Sequence, residues 1–173
     1  LKTIDEVRGF NGSMERFEWK LIGRQEMFIP YHNYAFDDPN VSYKEHLTKY
    51  HANPDYMRYE LKRVWVAEGN LREGERHIYG KRRIYVDEDT GLTAITENYD
   101  GRDELWKVVL FNNIYEYNGQ AYVRRVQVYH DLRAGAYIAE RLINDSKPMF
   151  YDVSPVKGAS YFSPTSVRKL GRR

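Results

Sequence analysis

The chain has 173 residues, enough for one domain with a real core. Its 27 basic and 25 acidic side chains leave a net charge of +2, far from the strong basic excess of a dedicated nucleic-acid binder. Mean hydropathy is −0.76, no apolar stretch approaches the roughly 20 residues that span a bilayer, and the absence of cysteine excludes disulfides, thiolate catalysis and Cys-ligated metal centres.

The first fifteen residues are rich in turn formers, with Arg8-Gly9-Phe10-Asn11-Gly12-Ser13 at their centre. Arg16 to Leu21 then alternates, with Phe17, Trp19 and Leu21 on one side, as a half-buried strand does. Gly23-Arg24 is expected to end it, and Gln25 to Ile29 to form a second strand. Ser42-Tyr43-Lys44-Glu45 fits a capping box, in which hydroxyl and carboxylate each satisfy a free backbone N–H. It predicts a short helix over Tyr43 to Tyr50, ended by Asn53-Pro54.

From Met57 to Leu142 the chain reads as a run of strands broken by tight turns. The turns are Glu73-Gly74, Asp87 to Gly91, Tyr99 to Arg102, Asn118-Gly119 and Arg133 to Gly135. Gly, Asn and Asp tolerate the positive φ of tight hairpins, and strands joined so closely must be antiparallel neighbours. The expected strands are Tyr59 to Glu68, His77 to Val86, Leu92 to Tyr99, Glu104 to Tyr115, Ala121 to Tyr129 and Ala136 to Leu142. The nearly continuous apolar run Leu105 to Phe111 predicts a central strand covered on both faces. Residues 144–162 read as irregular, and Ser163-Pro164 opens a last short helix stopped by Gly171. The expected fold is mainly β: a strongly curved antiparallel sheet of seven or eight strands, an open or partial barrel with two short helices, in one domain over 1–173.

No constellation carries catalysis. The five histidines (32, 46, 51, 77 and 130) lack metal-motif spacing, and Asp87-x-Asp89-x-Gly91 opens like a calcium loop but has Asn98 at the closing position. The pairs Asp37-Asp38 and Asp103-Glu104 flank turns, and no nucleophile accompanies His130-Asp131. The expectation is therefore a protein that is not an enzyme and needs no metal and no cofactor. Lys62-Arg63, Lys81-Arg82-Arg83 and Arg124-Arg125 are interleaved with aromatics. Alternation turns one member of each group inward, where it must meet a carboxylate, with Glu60, Glu97 and Glu140 as candidates. Cross-strand ion pairs come first as an explanation, an anionic head-group site second and nucleic acid last.

Several strings then act together: Val7-Arg8-Gly9-Phe10-Asn11-Gly12-Ser13, Phe17-Glu18-Trp19-Lys20-Leu21-Ile22-Gly23, Asn53 to Leu61, Arg63-Val64-Trp65-Val66, Arg76-His77-Ile78-Tyr79, Tyr85 to Thr90 and Tyr161-Phe162-Ser163-Pro164. In this order they resemble the C-terminal half of a Gram-negative exported family, a domain of unknown function commonly described as outer-membrane lipoprotein-sorting proteins. The resemblance implies a periplasmic location and a lipoprotein-carrier-like fold, an open barrel with an apolar interior. As candidate partners it implies a resistance-nodulation-division-type transporter and an outer-membrane protein. It also implies that the chain is the C-terminal part of a longer protein whose export signal lies outside this segment or has been removed. Sheet edges left open in such a fragment would favour pairing between copies.

The expected function is binding and transport of a lipid, a lipoprotein acyl chain or another hydrophobic molecule, within an envelope export system. Trp19, Leu21, Leu61, Trp65, Trp106 and Phe111 are the expected apolar lining of the concave face, with Arg63 and Arg82 at the mouth for an anionic head group. If the concavity is filled, the same residues are ordinary core. The alternative function is an assembly module of an envelope complex with no ligand of its own, anchored through tyrosine and arginine.

Overall fold

The computed structural model describes residues 2–145 and 157–171. Its sheet is an antiparallel meander, with neighbouring strands consecutive in the chain. The strands β1 (Phe17–Pro30), β2 (Tyr59–Leu71), β3 (Lys81–Asp87), β4 (Thr93–Tyr99), β5 (Leu105–Glu116), β6 (Ala121–Asp131) and β7 (Ala136–Glu140) pair antiparallel in chain order. The turn signals fall where chain reversal occurs, and Gly91 and Gly135 take the positive φ that closes two of the hairpins, at 67° and 58°. Two short α-helices, α1 (Tyr43–His46) and α2 (Pro164–Leu170), and single 3-10 turns complete the described elements. Both helices carry the expected caps: Ser42 and Glu45 form the capping box, and the Ser163 side chain accepts from the Ser166 N–H. β5 is internal to the sheet and buries side chains on both faces.

Three expectations are corrected. Gly23 does not end the first strand. A bulge between Leu21 and Gly23 absorbs one residue, with Gly23 at φ 134°, and β1 continues to Pro30. The first helix stops at His46 rather than Tyr50. There the His46 imidazole turns inward to the Phe36 carbonyl at 2.7 Å, and the chain doubles back so that the Asn53 N–H donates to the His46 carbonyl at 2.8 Å. Regular pairing in β3 begins at Lys81 rather than His77, because the His77 Nδ1 accepts from the Tyr79 N–H at 3.0 Å and bends the chain. Of the segment expected to be irregular, residues 146–156 lie outside the described residues.

The sheet curls but does not close, and β1 and β7 are its free edges. Its inner face is the one that carries Val64, Val66, Tyr85 and Ile95, because Ile29 and Tyr31 at the end of β1 pack onto that same cluster. β1 thereby touches β4 and β5, although two or three strands separate them in the sheet. Side chains make this seam. The hydroxyls of Tyr31 and Tyr122 lie 3.4 Å apart, the His32 Nε2 is 3.1 Å from the Tyr122 Oη, and the Tyr34 hydroxyl donates to the Tyr115 carbonyl at 2.8 Å.

Two straps cover the sheet. The segment 31–58 crosses the inner face of β6 and β7 and buries Phe36 and Ala52 against Val126 and Val128. Each fully buried side chain of this size contributes about 1.5–3 kcal/mol relative to exposure. The segment 2–16 crosses the outer face: Lys2 pairs with Glu140 on β7, Asp5 with Arg82 on β3, and Gly9 lies against Thr93 on β4. Among the described residues, no helix is long and apolar enough to cross a membrane.

Candidate functional site

Between the inner strap and the sheet lies a cleft of about 240 Å³. Leu110 on β5 and Val128 and His130 on β6 form its floor, and the strap residues His51, Ala52 and Met57 form its roof. The floor follows from alternation. Leu110 pairs with Val128 and Val108 with His130, so all four side chains share the inner face. The roof follows from Asn53-Pro54, which starts a single 3-10 turn and leads the chain back to the start of β2. The volume falls below the ~300 Å³ expected of a small-molecule pocket, and the surface is apolar apart from two imidazoles and the Tyr59 phenol.

The strap is fixed by polar anchors around this cleft. Arg125 on β6, 4% exposed, binds Asp37 with Nε and Nη2 at 2.7 and 3.0 Å. The Tyr137 hydroxyl on β7 donates to the Thr48 carbonyl at 2.8 Å. Burial pushes His130 below the usual histidine range, and burial does the same to His46, partly offset by its bond to the Phe36 carbonyl.

The expected lining residues lie elsewhere. Trp19 and Leu21 pair with Gly69 and Ala67, and Leu61 and Trp65 pair with Phe28 and Arg24, all on the outer face. Leu21, Leu61 and Trp65 are exposed there, and Phe28 beside them is 64% exposed. Trp19 packs on Phe10 and Phe17, with centroids 5.1 and 5.8 Å away. Phe111 is buried on the outer side with Val109 and Tyr129. Trp106 sits where the β4–β5 register slips, and its Nε1 donates to the Asp131 Oδ1 at 3.1 Å. The structure therefore does not bring these six residues together in the concavity.

The two expected head-group residues are both ion-paired. Arg63 is exposed on the outer face, its Nε 2.8 Å from the Glu88 Oε2. Arg82, 1% exposed, lies under the outer strap against Asp5, with the rings of Phe10, Phe17 and Tyr79 around its guanidinium at 4.8–5.2 Å. The need for inward arginines to find carboxylates is met, but by Asp5, Asp37 and Glu68 instead of the expected Glu60, Glu97 and Glu140. Glu60 meets His32 and Arg58, Glu97 accepts from the Tyr85 and Tyr99 hydroxyls, and Glu140 binds Lys2. The Asp87 carboxylate is used inside its own turn, accepting from the Thr90 hydroxyl at 2.6 Å. No cluster of three metal-ligating side chains occurs among the described residues.

Leu110, Val128 and His130 were missed as a site because alternation places them on a face without saying which face curls inward. The roof residues 51–57 carry only the signals of a helix end.

A family model described as "Protein of unknown function (DUF1329)" matches residues 1–168. An uncharacterised protein of Pseudomonas aeruginosa is 40% identical over all 173 residues, and the chain spans 38% of that relative's length. Among solved structures, a domain provisionally called an outer membrane lipoprotein-sorting protein, from Vibrio parahaemolyticus, is similar with a TM-score of 0.46 and 12% identity, over 75% of this chain and 41% of that one. A DUF1329 family protein from Desulfovibrio piger is similar with a TM-score of 0.44 and 15% identity, over 88% of this chain and 47% of that one. With its model matched over nearly the whole length, the chain belongs to the DUF1329 family.

Proposed function

We propose that this domain holds a lipid or another hydrophobic molecule in the periplasm and helps move it between membranes, as a binding domain and not a catalyst. The observation that carries the reading is the cleft on the inner face, which the strap roofs without filling. Apolar surface left open between two packed layers is costly unless a ligand covers it, and this one is rimmed by only a few polar groups. In this reading the domain works inside a longer envelope protein, beside a transporter of the resistance-nodulation-division type and an outer-membrane partner. Lipid extraction and native mass spectrometry on the full-length protein from its own host test it. A co-purifying hydrophobic molecule lost on Val128→Phe supports the reading, and a ligand-free protein that ignores added hydrophobic probes ends it.

A second reading is favoured by a different observation. Leu21, Phe28, Leu61 and Trp65 form an exposed apolar stripe on the outer face of β1 and β2, interrupted by the cross-strand pair Glu26 and Arg63 and next to the free edge of β1. Such a stripe suits an assembly contact, either with another copy or with an envelope partner. Light scattering on the wild type and on Phe28→Lys separates the two: a monomer in both cases removes self-assembly from consideration.

A further inference from the structure

The cleft has two imidazoles in an otherwise nearly apolar lining, one in the roof and one in the floor. His51 already spends one ring nitrogen on the backbone: its Nδ1 lies 3.0 Å from the Ala52 carbonyl, to which it donates. This fixes its tautomer and leaves Nε2 for another partner. The backbone of Val108, the cross-strand partner of His130, favours the charged form of that ring without outweighing its burial. The two rings sense each other: burial lowers the proton affinity of His130, and His51 lowers it further.

Among the described residues, the other groups around His130 offer it no counter-charge. The Tyr137 ring on β7 stacks on it at 5.9 Å, with its hydroxyl committed to Thr48. Tyr59 on β2 lines the cleft as a neutral phenol. The nearest carboxylate in register is Glu97 on β4, one pair beyond Val108, and it is held by the hydroxyls of Tyr85 and Tyr99 at 2.9 and 2.6 Å. Lys107 and Asp131 pair with each other on the opposite face of the sheet. An anion placed between His51 and His130 would supply the missing charge.

We infer that the ligand of this cleft is an amphipathic carboxylic acid, its apolar body on Leu110, Val128 and Met57 and its carboxylate between His51 and His130. This rests on the reading of the cleft as a ligand site and adds the chemistry of the head group. Binding takes up a proton, because the carboxylate favours the imidazolium form that burial disfavours in the empty cleft. Affinity therefore rises as the pH falls from 8 towards 6, then declines where the acid itself becomes neutral.

Calorimetric titration with decanoic acid and with decan-1-ol, at pH 6 and pH 8, tests this on the full chain. The expected result is a preference for the acid of about tenfold at pH 6, equivalent to one pKa unit of coupling, that shrinks at pH 8 and disappears in H51Q/H130Q. Titration of the unaltered protein in two buffers of different ionisation enthalpy reads the proton uptake without a variant. If acid and alcohol bind equally at both pH values with no proton uptake, the head-group assignment is wrong and the hydrophobic cleft stands. If neither binds, both fall.

Discussion

Arg125 on β6 clasps Asp37 of the inner strap with two parallel hydrogen bonds, 88 residues apart in sequence and almost wholly out of water. The pair ties the strap to the sheet. Its Coulombic gain is offset by the cost of desolvating both ions, so its net worth is small while its removal by halves is not.

Asp37→Ala is therefore expected to cost about 3–5 kcal/mol, because it removes the carboxylate that faces a buried guanidinium. Urea denaturation of this variant beside Arg125→Met measures it. Arg125→Met leaves Asp37 behind, but burial already pushes that carboxyl above its usual range and it can take up a proton, so this variant should cost distinctly less. Equal losses would show that the charge imbalance is not the dominant effect.

Filling the cleft from its floor should block it while leaving the sheet intact. Val128→Phe adds volume where Leu110 and Met57 converge, and overpacking of this kind costs about 1–3 kcal/mol. A hydrophobic fluorescent probe that brightens with the wild type should remain dark with this variant, whose circular dichroism should be unchanged. Undiminished probe fluorescence would move the binding surface elsewhere, first to the exposed stripe of Leu61 and Trp65.

Gly69 is expected to resist substitution. A Cβ there would meet the Trp19 ring at 2.8–3.0 Å, because the indole lies across the glycine from the paired strand. Gly69→Val should displace the ring, cost about 1–3 kcal/mol and shift Trp fluorescence towards the red as the indole meets water. A wild-type emission spectrum would mean that the backbone yields instead.

Acid should unfold the domain in two stages. Burial holds His46, His77 and His130 below the ordinary value of 6.5, with Arg82 adding to the effect at His77. The unfolded chain thus binds these protons more tightly than the folded one. The stability they contribute is complete above about pH 6.5 and is lost as the pH falls towards their lower folded values. Arg83 holds Glu68 below its usual range, and Arg133 does the same for Asp100, so a second loss follows below about pH 4. Tm measured from pH 8 to pH 3 should be flat, then fall in these two windows, and His46→Gln should soften the first. A constant Tm between pH 7 and pH 5 would contradict the assignment.

The meander was legible because chain reversal is local chemistry. Asp87 to Gly91 and Arg133 to Gly135 turn for reasons contained in their own residues. Which face curls inward was not legible. β5 is apolar on both sides, so Val109 and Leu110 are equally good candidates for an interior until Ile29, eighty residues earlier in the chain, comes to rest beside Ile95. The lining expected from Trp19, Leu61 and Trp65 failed on that single binary choice. That one member of Lys81-Arg82-Arg83 would be buried and need a carboxylate was legible from alternation, but Asp5, the partner of Arg82, stands in a turn-rich segment that reads as loop until it is laid across the sheet. The candidate site suffered most, since a roof made from a short helix, one 3-10 turn and an extended strap has no periodicity to betray it.

The seam along Tyr31, His32 and Tyr34 gives the domain a way to breathe. Parting it would break side-chain contacts: hydrogen bonds to Tyr115 and Tyr122, worth about 1 kcal/mol each, and the packing of Ile29 and Tyr31 on the cluster around Ile95. Among the described residues no backbone ladder crosses that line, so the sheet can gape there as a cupped hand opens, with every strand pairing intact. Opening there would widen the inner face without unfolding any of its walls.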